Sequence, residues 1–136
     1  MAMADVGFYL IQSQIRQVDL ACRICRKSIQ AGQQPLLVKF DDMALMQQFD
    51  ALLWQFDASS FVVHDIDNLS SPICLSLTLP EQYEGDCLNL GQAMVDPQRF
   101  SRVLEIVENS DHAKVAGRER FKAYRALGIE PVTYQV

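Results

Sequence analysis

Leu-Leu-Val-Lys-Phe-Asp-Asp-Met-Ala-Leu-Met-Gln-Gln-Phe-Asp-Ala-Leu-Leu-Trp, residues 36–54, carries the pattern that decides the fold. Its first five residues are almost all apolar, as in a strand covered on both faces, and Pro35 stands just ahead of them. Asp41 and Asp42 then offer an N-cap and a first-turn acid to a helix over Met43 to Trp54. Leu45, Phe49, Leu52 and Phe56 form the inward stripe of that helix, while Trp54 lies about 200° around the axis from Leu52. A buried strand that feeds an amphipathic helix is the building unit of an α/β sheet.

The same alternation runs outward in both directions. Val6 to Ile11 reads as a short, central strand with little polar alternation. Val18, Ala21, Cys22, Cys25 and Ile29 give the stripe of a helix from Val18 to Gln30, with Gly32 as its stop. Downstream, Ser59, Ser60, Phe61, Val62 and Val63 suggest a strand, followed by a polar turn from Asp65 to Ser71. Ile73 to Leu79 reads as another strand, ended by Pro80. Cys87 to Leu90 makes a short strand in an otherwise unassigned stretch over 80–100. Ser101 to Val107 fits a helix face or a strand, and its β-branched content tilts it towards strand. Ser110 and Asp111 cap a last helix from about His112 to Leu127, Gly128 terminates it, and Val132 to Val136 closes the chain as a strand. The expectation is an α/β fold with a mostly parallel sheet and helices on both faces. No repeat or linker divides it, so residues 1–136 are read as a single domain.

Composition agrees with a packed core: 49% of the 136 residues are apolar and 21% charged, which excludes a disordered tail. Seventeen acidic against twelve basic side chains give a net charge of −5, which disfavours duplex binding through the whole surface. The apolar runs fall far short of the roughly 20 residues that cross a bilayer. Met1 to Asp5 has no basic region ahead of a secretory segment, so a cytoplasmic location is expected, with the four cysteines reduced.

Chemistry-bearing motifs are sparse. Cys22-x-x-Cys25 lies on the apolar stripe of a helix with no second close pair, which points to core packing rather than redox or zinc. His64 and His112 have no ligand spacing, and Ser60, His64 and Asp65 read as turn and surface groups. The first strand leads into Gln12-Ser13-Gln14 instead of a glycine-rich turn, and no phosphate loop occurs elsewhere. The reading therefore assigns no catalytic residue, no metal and no cofactor, leaving enzyme activity unsupported.

The informative element is the last helix. Lys114, Arg118, Arg120, Lys122 and Arg125 oppose only Glu119 there, a local charge of +4 that leaves −9 for the rest of the chain. Lys114, Arg118, Lys122 and Arg125 fall within an arc of about 80° and share one ridge. That ridge is either a solvated face or a dock for an acidic peptide, a terminal carboxylate or a phosphate. Ala116, Ala123 and Leu127 are expected to point inward, with Phe121 and Tyr124 beyond one edge. Trp54, off its own stripe, is a rim residue or an aromatic wall for a binding groove.

Three stretches resemble the chi subunit of bacterial DNA polymerase III: Phe8-Tyr9-Leu10; Leu53-Trp54 followed by Ser60-Phe61-Val62-Val63-His64; and Arg118-Glu119-Arg120-Phe121-Lys122-Ala123-Tyr124-Arg125 before Gly128. The resemblance spans essentially the whole chain. It implies a Rossmann-like domain without a nucleotide cofactor that acts as an adaptor in DNA replication. The partners it implies are the clamp-loader psi subunit and the acidic C-terminal tail of single-stranded DNA-binding protein. It places Lys114 and Arg118 opposite the tail's acidic groups and terminal carboxylate, with Trp54 and Thr133 at the same site; helical spacing leaves Lys122 and Arg125 as a secondary basic ridge. It places Phe61 and Val62 at the psi interface. Two other readings stay open: a module whose last helix contacts nucleic acid directly, and a nucleotide-dependent transferase suggested by fold alone.

Overall fold

The computed structural model describes residues 3–32, 35–56 and 62–136. Seven strands, β1 (Asp5–Leu10), β2 (Leu36–Lys39), β3 (Asp65–Ile66), β4 (Ile73–Ser76), β5 (Asp86–Asn89), β6 (Arg102–Val107) and β7 (Val132–Gln135), form one sheet in the order β3-β4-β2-β5-β6-β1-β7. Every one of its pairings is parallel. Among the described residues three α-helices cover it: α1 (Gln17–Gln30), α2 (Met43–Gln55) and α3 (Asp111–Ala126). The fold is thus the three-layer α/β arrangement expected, and Ser101 to Val107 resolves as strand. No described helix is long and apolar enough to cross a membrane.

Side-chain alternation along the strands sorts the core into two faces. Leu36, Val38, Phe40, Leu75, Leu104 and Ile106 point towards α1 and α2. Leu37, Cys87, Val103, Val107, Val6 and Phe8 point the other way, where Tyr124 of α3 packs. Cys22 and Cys25 are fully buried on α1, and burial pushes the Cys22 thiol up to about 12 and the Cys25 thiol further, so both stay protonated packing groups.

Asp42 caps α2 by accepting from the Ala44 N–H at 2.7 Å, as its position predicts. The buried stripe of α2 is Met46, Phe49 and Leu53, one residue round from the expected one, so Leu45, Leu52 and Phe56 are only partly buried. The expected strand around residues 59–63 is corrected in its described part. Val62 and Val63 are not in a strand, and pairing begins at Asp65 instead. Phe61 and the residues before it, from 57, lie outside the described residues. α1 and α3 end at glycines with positive φ, Gly32 at 63° and Gly128 at 88°, the left-handed conformation that a side chain would strain.

Candidate functional site

Ser110 caps α3 through its hydroxyl, which accepts from the Ala113 N–H at 3.2 Å. Gly117 then sets how closely the helix meets the sheet, since a Cβ there would fall 2.7 Å from Cγ2 of Val107. The expected inward arc is corrected. Gly117, Arg120 and Tyr124 are the buried positions, while Leu127 is 45% exposed and Ala116 and Ala123 are intermediate.

This rotation is caused by a charge in the core. Glu105, in the middle of β6, is fully buried on the α3 side, and Arg120 Nε donates to its Oε1 at 2.8 Å. Tyr124 Oη donates to Oε2 at 2.6 Å, and Asn89 Nδ2 donates to the same oxygen at 2.8 Å. Burial pushes the Glu105 carboxyl above the usual carboxylate range, against the pull of Arg120 and of the bonds from Tyr124 and Asn89. A buried carboxylate with three donors anchors α3 at a fixed rotation about its axis. From sequence Arg120 counts only towards the charge of the last helix; the signal for its burial is Glu105, the lone acid of β6.

The rotation turns Lys114, Gly117, Arg118 and Phe121, spaced three and four residues apart, onto one strip facing the β1–β7 side of the sheet. Between that strip and the strands lies a pocket of about 290 Å³. Phe8, Leu10, Val107 and Phe121 give it apolar walls, Thr133 of β7 joins them, and Lys114 and Arg118 supply its cations. The Phe8 and Phe121 rings sit 5.3 Å apart, which holds the wall in place.

Of the five cations of α3, three have carboxylate partners: Arg120 on Glu105, Lys122 on Glu119 at 3.7 Å and Arg125 on Glu130 at 3.3 Å. Among the described residues Lys114 and Arg118 have none, and they are the two that line the pocket. The secondary ridge expected at Lys122 and Arg125 is therefore partly neutralised by the chain itself.

Trp54 does not belong to this site, which corrects the expectation of an aromatic wall there. It lies on α2, across the sheet from α3, 51% exposed, with its ring 4.5 Å from that of His64. His64, read from sequence as a surface group, is buried instead. Its Nε2 lies 2.8 Å from Asp50 Oδ1 and its Nδ1 2.8 Å from the Val62 carbonyl.

Residues 3–132 match the family described as DNA polymerase III chi subunit, HolC. The chain belongs to the chi family. DNA polymerase III subunit chi of Pseudomonas aeruginosa is 32% identical to it over 132 residues, 93% of this chain and 92% of that one. Its counterpart from Escherichia coli is 26% identical over 140 residues, 93% and 95% of the two chains. That from Haemophilus influenzae is 28% identical over 117 residues, 81% of each. The psi contact expected of a chi chain at Val62 meets an obstacle: this side chain is 3% exposed and packs in the α1–α2 core. Neighbouring Val63 is the exposed valine.

Proposed function

We propose that this chi chain is a non-catalytic adaptor of the DNA polymerase III holoenzyme, and that the pocket between α3 and β1–β7 receives the acidic C-terminal tail of single-stranded DNA-binding protein. One observation carries the reading. The two cations of α3 that lack carboxylate partners among the described residues line the same apolar hollow, so one site offers charge for acidic groups and space for a terminal aromatic ring. Arg118 and Lys114 orient the tail and its carboxylate, Phe8, Leu10, Val107 and Phe121 hold the ring, and Thr133 closes the far side.

The second partner, psi, is assigned to the opposite face of the sheet. Trp54 and Val63 are exposed there beside the buried His64, an aromatic anchor next to an apolar side chain. The two partners then attach on opposite layers of the domain and bind together without competition.

Calorimetry with a short peptide of acidic residues followed by Ile-Pro-Phe tests the tail assignment. Binding of the free-carboxylate peptide, a loss of tenfold or more on amidation of its C-terminus, and weak binding of single-stranded DNA of equal length are expected, since charge-assisted contacts carry about 1.5–3 kcal/mol. Equal binding of DNA and peptide would favour direct nucleic-acid recognition instead.

A further inference from the structure

β7 is the last strand of the sheet, and among the described residues one of its long edges has no neighbouring strand. The pairing with β1 fixes which of its backbone groups are used. Val136 N–H donates to the Leu10 carbonyl at 3.0 Å, and the Val136 carbonyl accepts from Gln12 N–H at 2.8 Å. Backbone groups alternate sides along a strand, so with Tyr9 opposite Tyr134 the Val132 and Tyr134 groups also face β1. Thr133 and Gln135 consequently aim their N–H and C=O groups outward over the open edge.

Such an edge is a template for another strand, and proteins commonly blunt it with charge, proline or a covering loop. Here none of Val132 to Gln135 is charged or proline, and all four are exposed. Thr133 also lines the cationic pocket, so its side chain faces the pocket while its backbone faces the edge. A chain entering the pocket from the β7 side passes along these groups.

We infer that the ligand docks by adding a strand to β7, with its backbone paired to Thr133 and Gln135 while its C-terminal residue fills the pocket. The inference rests on the tail reading and deepens it. The occupant is an extended acidic peptide: Lys114 and Arg118 line the pocket together with Thr133 of the edge and complement its charge, and main-chain pairing supplies affinity that does not depend on which acidic residues it carries.

Two measurements test this. Wild-type protein is titrated with the acidic Ile-Pro-Phe peptide carrying single backbone N-methyl groups at successive positions in its acidic stretch. Strand addition predicts an alternating pattern, roughly tenfold weaker binding where the N–H faces β7 and about twofold or less at the positions between. The variant Gln135→Pro removes one outward N–H that β1 does not use, and is expected to weaken the peptide about fivefold with an unchanged melting temperature. A flat N-methyl series with tight binding of the parent peptide overturns strand addition and leaves the pocket assignment standing. Failure of the parent peptide to bind overturns the pocket assignment itself. A dimer of the peptide-free protein that Gln135→Pro dissociates assigns the edge to a second copy and also overturns the inference. Should Gln135→Pro not fold, the N-methyl series on the wild-type chain decides alone.

Discussion

Arg120 and Glu105 meet at 2.8 Å with both side chains buried between α3 and β6, while Arg118, two residues earlier on the same helix, is exposed at the pocket. Two arginines within one turn thus stand in opposite surroundings. Arg120→Met leaves a buried carboxylate without its cation and is expected to cost about 3–5 kcal/mol, whereas Arg118→Ala stays within about 0.5 kcal/mol of wild type. Urea denaturation of the two variants checks the contrast.

Gly117 decides how far α3 stands from the sheet. Gly117→Ala gains about 1 kcal/mol of helix propensity but drives a methyl group into Val107, at an overpacking cost of about 1–3 kcal/mol. A net destabilisation of about 1 kcal/mol is expected. Adding Val107→Ala removes the clash, so denaturation of the double variant should show less loss than the two single changes summed.

Asp41 ties the end of β2 to the loop after β5. Its carboxylate accepts from the Gln92 N–H at 2.8 Å and pairs with Lys39 at 3.0 Å, and these contacts, that to Gln92 first, hold it below the usual carboxylate range. A lowered folded-state value means stability that is present above the unfolded-state value near 3.8 and is lost as pH falls through the lower folded one. The stability gap between wild type and Asp41→Asn should be constant from neutral pH to about 5 and close in stronger acid, as thermal melts at stepped pH would show.

Trp54 is the single tryptophan and lies across the sheet from the pocket, against His64. Its emission should therefore stay constant while the acidic peptide titrates, and change when psi is added. Asp50→Ala removes the partner of the buried His64 Nε2, so it should shift the emission and cost about 1–3 kcal/mol. Fluorescence titration and melts of this variant test both statements.

Much of the fold was legible because a parallel sheet buried on both faces writes itself as unbroken apolar runs, as at Leu36 to Val38 and Val6 to Leu10. The boundaries that shifted did so through side-chain bonds that no hydrophobic period encodes. β4 stops at Ser76 rather than Leu79, because the Ser76 hydroxyl accepts from the Thr78 N–H at 3.1 Å and donates to the Thr78 carbonyl at 2.8 Å, turning the chain. At the site, helical spacing puts Lys114 and Arg118 on one ridge with Lys122 and Arg125, and the family resemblance singles out the first two. Their apolar counterparts Phe8 and Leu10 could not, since every residue of a central strand looks equally buried. Trp54 was misplaced for a related reason: helical spacing puts it off its own stripe but says nothing about which face of the sheet carries that helix.

The most direct test pairs the two charges that the account joins, in a cycle measured by calorimetry. Wild type and Arg118→Ala are each titrated with the free-carboxylate and the amidated acidic peptide. If Arg118 contacts the terminal carboxylate, each change alone weakens binding by more than about 1 kcal/mol and the two together lose less than their sum, a coupling of about 1 kcal/mol or more. Strictly additive losses, or unchanged binding by Arg118→Ala, would contradict the assignment of the α3 pocket to the tail.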